Sequence, residues 1–145
     1  LKSIFHLHVP LMGENNFYKN NFSQDSLYQF QSEAIRKAAA HDSCVFVGRT
    51  ADYVLRDFKN TVSVFITANL DQRIQRVCKR YNMNRAEARK YIHSREEDRA
   101  TYYNYYTGKE WGHSESYDLC INSSLLGLEE TEHFIAQFIK KRFNF

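Results

Sequence analysis

The alternation of apolar and polar residues predicts short strands and helices in succession along most of the chain. A helix is predicted from Ser23 or Asp25 to about residue 40, where apolar residues recur at helical spacing on one broad face. The continuous apolar run at 44–47 is typical of a strand buried on both faces. The β-branched run at 61–66 predicts a second strand. The first 21 residues have no clear periodicity, and we predict them to be irregular.

The second half of the chain continues this alternation. A helix is predicted from Asp71, and another runs from a capping sequence at Asn84 to a stop at Gly108. A third strand at 119–121 precedes a terminal helix after Gly127. Strands that alternate with helices predict an α/β fold with a parallel sheet. Only three strands are visible, however, which is few for an open parallel sheet.

Composition is that of one packed domain over residues 1–145. Apolar residues make up 43% of the chain, with 11 Phe and 10 Tyr, so the material for a core is plentiful. Five Gly and one Pro argue against a linker, a repeat array or extended disorder. No apolar run approaches the roughly 20 residues of a membrane span. The first ten residues lack the layout of a signal peptide. We therefore predict no membrane partner.

The cysteines and histidines do not form a metal-binding pattern. Cys44, Cys78 and Cys120 are far apart, and two of them lie in apolar strand-like runs, where Cys usually behaves as a small buried hydrophobe. This usage predicts a reducing cytoplasm. His6 and His8 alternate as residues on a strand face do, but no third ligand is apparent, so we predict no metal site.

Charge is concentrated in one basic segment. Between residues 73 and 99 there are nine Lys or Arg against four Asp or Glu, an excess of +5 in a chain whose net charge is +3. Such a segment indicates an anionic partner. Nucleotide phosphates, nucleic acid and a merely solvated helix face all remain open.

Arg49 follows the predicted strand at 44–47 directly, after Gly48 and before a short predicted helix at 51–58. In open α/β sheets, ligands bind beyond the carboxyl ends of strands, so this arginine is aimed at the expected crevice. A guanidinium grips phosphate bidentately, and a glycine allows close backbone approach. The alternative is a surface arginine in an ordinary strand-to-helix turn.

Arg95 and Arg99 lie four residues apart on a predicted helix and share one face. Two arginines on one face can grip a polyphosphate, and Asp98 between them can orient a guanidinium. The commoner interpretation of such a charge run is a solvated, salt-bridged helix. Upstream, Arg73 and Arg76 belong to a basic stripe that is either a solvated face or one wall of a nucleotide site.

Tyrosines follow this charge run directly. Tyr102, Tyr105 and Tyr106 cluster on one helix face, where such rings most often pack a core or cover a mobile lid. Interleaving with arginine also permits base stacking on single-stranded nucleic acid. The rings are bunched rather than laid along a groove, which argues against a nucleic-acid partner.

Four segments carry a family resemblance when they are read in order along the chain. They are 48–55 (GRTADYVL), 65–68 (FITA) with Arg73 and Arg76, 99–108 (RATYYNYYTG) with Trp111, and 117–124 (YDLCINSS). Together they resemble the cytidylate-kinase-like family, a branch of the P-loop nucleoside monophosphate kinases. The resemblance runs from about residue 31 to the C-terminus.

This resemblance implies a P-loop NTPase-type three-layer αβα fold with a parallel sheet and a helical lid, the lid being residues 84–111. It implies an enzyme that transfers the γ-phosphoryl group of ATP, with Mg²⁺, to a nucleoside monophosphate that is CMP-like. Catalysis in such enzymes is mostly positioning and charge neutralisation, and lid closure excludes water.

The resemblance also assigns roles to individual residues. On the acceptor side it implies that Arg49 holds the acceptor phosphate. Well-characterised cytidylate kinases have Asp directly after the Gly-Arg, whereas Thr50 stands there in this chain and the acid comes at Asp52, the candidate for a further acceptor contact. On the donor side, the resemblance implies that Arg73 and Arg76 bind ATP. In the lid, it implies that Arg95, Asp98 and Arg99 act on the transferring phosphoryl group. The spacing of these lid residues differs from that of the family.

The phosphate-binding loop itself is missing from the sequence. No GxxxxGK[ST] motif occurs in the 145 residues, so the chain lacks the amide cradle, the lysine and the Mg²⁺-binding hydroxyl of that loop. The three visible strands correspond to the third, fourth and fifth strands of the family, and the first would lie between 44–47 and 62–66. We therefore expect this sequence to be part of a longer polypeptide, and this chain alone to be inactive.

Two other functions remain open at this stage. A degenerate relative would bind nucleotide, or act as an interaction module, without transferring phosphate. A nucleic-acid-binding module would use the basic segment at 73–99 and its tyrosines, and its binding would weaken steeply with salt.

Overall fold

The computed structural model describes residues 3–5 and 21–145. These residues form a mixed α/β structure. Its strands are β1 (Ser3–Phe5), β2 (Cys44–Phe46), β3 (Val64–Thr67) and β4 (Leu119–Asn122), and its helices are α1 (Asn21–His41), α2 (Ala51–Val54), α3 (Leu70–Tyr81), α4 (Arg85–Thr107) and α5 (Ser123–Phe143), with a short 3₁₀ turn at Ser114–Ser116.

The strands pair in parallel, as the alternation with helices predicts. Strand β1 pairs with β2 from Ser3–Cys44 to Phe5–Phe46. Strand β3 pairs with β4 from Val64–Leu119 to Thr67–Asn122. Over the described residues these are two separate sheets of two strands each.

Strand β1 corrects the prediction that the first 21 residues are irregular. Ser3–Phe5 is too short to display any periodicity, and it becomes a strand through its backbone pairing with β2 rather than through its own pattern. It also raises the number of strands from the three predicted to four among the described residues. The predictions for His6 and His8 lie outside the described residues.

The chain divides into two compact units. The first unit comprises residues 1–61 and 101–109, and the second comprises 62–100 and 110–145. The core of the first unit joins α1 to α2. Its buried members are Ile35, Ala51, Val54 and Leu55, and Ala39, Phe46 and Phe58 pack against them.

The core of the second unit joins α3 to α4. Ile74 is 1% exposed, and it packs with Ala88 and Ile92 of α4. Burial of such an aliphatic side chain is worth about 2 kcal/mol. Two ion pairs cross the same contact, Arg73 with Glu96 and Arg85 with Asp71. These contacts fix the register of α3 against α4, on which the candidate lid residues lie.

The prediction that 44–47 is buried on both faces is wrong. Val45 is 40% exposed and Val47 is 62% exposed, whereas Phe46 packs on the core of the first unit. In the second unit, Ile66 of β3 is 55% exposed and Cys120 of β4 is exposed, against the expectation of a buried cysteine. The reason is that, among the described residues, each sheet has two strands, and helices cover only part of its surface.

Helix termini follow the polar residues closely. Asn84 and Glu87 form the predicted capping box, because each side chain accepts from the other residue's backbone N–H, at 3.0 and 2.9 Å. Helix α4 ends at Thr107, just before Gly108 with φ of 66°. Helix α5 begins at Ser123 with Asn122 as its cap, earlier than predicted, and Gly127 kinks it with φ of 79°. None of the described helices is long and apolar enough to cross a membrane.

Candidate functional site

The turn after β2 has an unusual backbone. Gly48, Arg49 and Thr50 have φ values of 68°, 57° and 54°, three left-handed residues in succession. A left-handed conformation costs about 1 kcal/mol at each residue that has a Cβ. The turn is held by Thr50, which is 3% exposed and is the N-cap of α2. Strain that the surrounding fold maintains is characteristic of functional sites.

Arg49 lies against Tyr102 of α4, within the first unit. Its guanidinium carbon is 6.0 Å from the centre of the Tyr102 ring. The Tyr102 hydroxyl donates a long, 3.5 Å hydrogen bond to Oε1 of Gln31, a residue that is 3% exposed. Burial raises the pKa of Tyr102, while the charge of Arg49 and its hydrogen bond act in the opposite direction. The arginine is thus held by an aromatic side chain that is itself anchored.

Asp52 is held by the neighbouring tyrosine. The hydroxyl of Tyr103 donates a 2.7 Å hydrogen bond to Oδ2 of Asp52. Tyr103 is 5% exposed, and its backbone carbonyl accepts from the Thr107 hydroxyl at 2.7 Å. One carboxylate oxygen of this candidate acceptor contact therefore has a structural partner.

The tyrosines at the end of α4 pack against α1. The rings of Tyr106 and Tyr28 are stacked, with centres 3.9 Å apart and an interplanar angle of 5°. The Tyr106 hydroxyl donates to Asp25 at 3.2 Å. Burial, and then the hydrogen bond with Asp25, raise the pKa of Tyr106 well above its usual value. The packing role considered for these rings therefore agrees with their positions in the first unit.

Arg95 and Asp98 form an ion pair in the second unit. Nη1 of Arg95 is 3.1 Å from Oδ2 of Asp98, whose side chain is 8% exposed. The guanidinium also lies over the ring of Tyr91, 5.2 Å from its centre. A hydrogen bond with Tyr81 lowers the pKa of Tyr91, and the charges of Arg95 and Arg99 lower it further. The charges of Arg95 and Arg99 therefore both act on the Tyr91 phenol.

The two predicted donor-side arginines differ in their surroundings. Arg73 is half-buried and its guanidinium is paired with Glu96, so it contributes to the contact between α3 and α4. Arg76 lies on the same helix and is exposed. The structure thus gives Arg73 a packing role and leaves Arg76 facing solvent.

The candidates therefore fall into two groups. Arg49 and Asp52 belong to the first unit, and Arg73, Arg76, Arg95, Asp98 and Arg99 belong to the second. Sequence reasoning missed Tyr91 and Gln31. Tyr91 lies four residues before Arg95 on a helix, and this spacing is a signal that identifies a neighbour. Gln31 has no comparable signal, because its contact joins residues that are distant in sequence.

The residues present do not fit an ATP-bound Mg²⁺ site of the kind implied by the resemblance. Within 3–5 and 21–145, no group of three or more His, Cys, Asp or Glu side chains is placed to hold a metal ion. The sequence also lacks the lysine and hydroxyl of a phosphate-binding loop. No catalytic step is therefore assigned to a metal on this chain.

Comparison with known proteins gives a family and related structures. The sequence model of the cytidylate kinase-like family matches residues 2–125. The crystal structure of an uncharacterized protein from Eubacterium ventriosum ATCC 27560 is similar, with a TM-score of 0.75 and 29% sequence identity. The similarity covers 79% of this chain but only 65% of that one. No protein of curated function matches the sequence.

Proposed function

Because this chain belongs to the cytidylate kinase-like family, we propose that it supplies the acceptor-binding and lid parts of a nucleoside monophosphate kinase. The proposed reaction transfers the γ-phosphoryl group of ATP to a CMP-like acceptor. The observation that carries the proposal is the strained turn at Gly48–Arg49–Thr50, which presents a guanidinium directly beyond the carboxyl end of a parallel strand.

Arg49 is the proposed acceptor-phosphate ligand. Its planar guanidinium has five donors in a fork that matches two phosphate oxygens. Its guanidinium carbon lies 6.0 Å from the centre of the Tyr102 ring, a contact that would hold the cation in place for the acceptor. Asp52 lies three residues after Arg49, at the start of α2. One of its carboxylate oxygens accepts from Tyr103, and the other is the proposed contact to the acceptor base or sugar.

Arg95 and Arg99 are the proposed lid arginines. They share a face of α4, and their charge would neutralise the phosphoryl group as it moves between two oxygens. Asp98 holds Arg95 from one side, so the guanidinium is oriented before a phosphate arrives. Arg76 is the proposed donor-side contact, because Arg73 is engaged by Glu96.

The three-layer P-loop fold is part of this proposal. In that fold, a further parallel strand carries the phosphate-binding loop. Support comes from the parallel pairing of β1 with β2 and of β3 with β4, and from the similar structure of which this chain matches 65%. The β-phosphate cradle and the Mg²⁺ ligands would come with that strand.

A second candidate is a relative that binds a nucleotide without transferring phosphate. The absence of GxxxxGK[ST] from these 145 residues favours it. Both candidates require the Arg49 site, and they differ only in turnover. Acceptor binding is therefore the first property to measure.

Calorimetric titration of the chain with CMP tests the proposal, with ATP·Mg²⁺ and a mixed oligonucleotide as comparators. We expect CMP to bind and Arg49→Ala to abolish most of this binding, while the matched control Arg36→Ala, on the exposed side of α1, leaves it unchanged. Binding of the oligonucleotide alone would refute the kinase proposal and favour a nucleic-acid module. In a complete protein that carries the phosphate-binding loop, production of ADP from ATP and CMP would then separate the enzyme from the non-catalytic binder.

A further inference from the structure

Arg95 is held on two sides by residues of its own helix. Asp98, three positions later, binds Nη1 at 3.1 Å, and Tyr91, four positions earlier, lies with its ring 5.2 Å from the guanidinium carbon. Side chains at these spacings share one face of a helix. The two contacts together restrain the position of the guanidinium.

Asp98 uses only part of the hydrogen-bonding capacity of Arg95. A guanidinium has five N–H donors in its plane, and Asp98 accepts from one nitrogen. The Tyr91 ring attracts the cation through its face. The Arg95 side chain is 39% exposed, which allows an anion to reach the guanidinium.

Tyr91 is itself fixed by α3. Its ring lies 5.1 Å from that of Tyr81, the last residue of α3, at an angle of 51°. The neighbouring Tyr81 side chain also lowers the pKa of Tyr91. Since the ion pairs of Arg73 and Arg85 hold α3 against α4, the Tyr91 ring has a defined position in the second unit.

Tyr91 has no part in the core of the second unit. That core consists of Ile74, Ala88 and Ile92, with Val77, Cys78 and Met83 around it. Tyr91 is half-buried and lies outside this cluster. Replacing its ring therefore removes the support beneath Arg95 and the contact with Tyr81, and it leaves the buried cluster of Ile74, Ala88 and Ile92 intact.

We propose that Tyr91 is a positioning residue that holds the guanidinium of Arg95 in position to bind a phosphoryl group. The inference rests on the proposed function for the identity of the ligand. Its physical basis is preorganisation: an arginine that is already in its bound rotamer loses less conformational freedom when an anion binds.

A double-mutant cycle on the full chain tests this role. The probe is inorganic tripolyphosphate, titrated by calorimetry against the wild type, Tyr91→Leu, Tyr91→Phe, Arg95→Ala and the Tyr91→Leu/Arg95→Ala double variant. We expect Arg95→Ala to weaken binding roughly tenfold and Tyr91→Leu roughly threefold. Tyr91→Phe, which keeps the ring, should bind nearly as the wild type does.

The double variant decides between positioning and a merely structural role. If Tyr91 acts through Arg95, the double variant binds like Arg95→Ala alone, because the ring no longer has a guanidinium to hold. The proposal is overturned if the affinity losses of the two single variants multiply in the double variant. It is also overturned if the wild type does not bind tripolyphosphate. Lys90→Leu is the control, an exposed cation next to Tyr91 on the same helix.

A second measurement reports the geometry without any ligand. The Nε–Hε resonance of Arg95 should experience the ring current of Tyr91, so its proton shift should change in Tyr91→Leu and persist in Tyr91→Phe. An unchanged shift in Tyr91→Leu would refute the contact. The titration with CMP is independent of both tests: absence of CMP binding would count against the proposed function, while the binding cycle with tripolyphosphate would still decide the role of Tyr91.

Discussion

The hydroxyl of Tyr103 donates a 2.7 Å hydrogen bond to the carboxylate of Asp52, joining the last turns of α4 to the first turn of α2 within the first unit. Asp52 is a candidate acceptor contact, so a residue that is proposed to bind the acceptor also connects two helices of the fold. A carboxylate that has one oxygen fixed in this way presents the other in a defined direction.

We expect Tyr103→Phe to destabilise the chain by about 1–2 kcal/mol, because it leaves a partly buried carboxylate without its donor. The loss is measurable as a shift in the urea midpoint of unfolding followed by circular dichroism. Tyr105→Phe is the control, since Tyr105 is 51% exposed on the same helix. If both variants unfold at the wild-type midpoint, the bond contributes nothing to stability.

Lysine should not replace Arg49 in acceptor binding. An ammonium retains the positive charge but lacks the planar fork that matches phosphate oxygens, and it engages the Tyr102 ring differently. We expect Arg49→Lys to raise the Kd for CMP about tenfold. Wild-type affinity in this variant would mean that only the charge at position 49 matters.

Arg99→Ala is expected to separate turnover from binding. In a complete protein that carries the phosphate-binding loop, it should lower kcat roughly a hundredfold, because charge stabilisation in the transition state is lost. It should change the KM for the acceptor much less. Steady-state kinetics with Arg89→Ala, an exposed arginine of the same helix, provide the matched comparison. Equal changes in kcat and KM would contradict the lid role.

Alkaline pH should destabilise the first unit through Tyr106. Burial and the bond with Asp25 raise the pKa of this phenol in the folded chain, whereas an unfolded tyrosine titrates near 10. Above pH of about 10 the unfolded state loses a proton that the folded state retains, so the free energy of unfolding falls as pH rises.

Urea unfolding between pH of about 9 and 11 checks this sign. Tyr106→Phe should show a shallower decline with pH than the wild type, because the phenylalanine ring keeps the stack on Tyr28 but cannot ionise. If the free energy of unfolding declines identically in the two proteins, a group other than Tyr106 causes the alkaline sensitivity.

Local signals in the sequence predicted both ends of α4, whereas α5 begins earlier than predicted and α2 ends at Val54 rather than near residue 58. The capping box of Asn84 and Glu87 and the stop at Gly108 depend on residues within a few positions of each other, and both are confirmed. The family was also recognisable from four short segments, and the match over residues 2–125 confirms it. The helical face at 102–106 followed from spacing alone.

Long-range contacts were not predictable in the same way. Strand β1 has only three residues and forms through pairing with β2, some forty positions away by the register of Ser3 with Cys44. The bond from Tyr103 to Asp52 joins residues 51 positions apart. The exposure of Val45 and Val47 depends on how many strands and helices cover them, and an apolar run contains no information about its neighbours.

The left-handed turn after β2 also affects how this protein could be engineered. Glycine adopts a φ of 57° without a steric cost, so a search for thermostable variants would be drawn to replace Arg49 with it. Such a variant would relieve the backbone strain at position 49, but it would lose the guanidinium that is proposed to hold the acceptor. Position 49 is therefore where improvement of heat resistance and retention of ligand recognition require different amino acids.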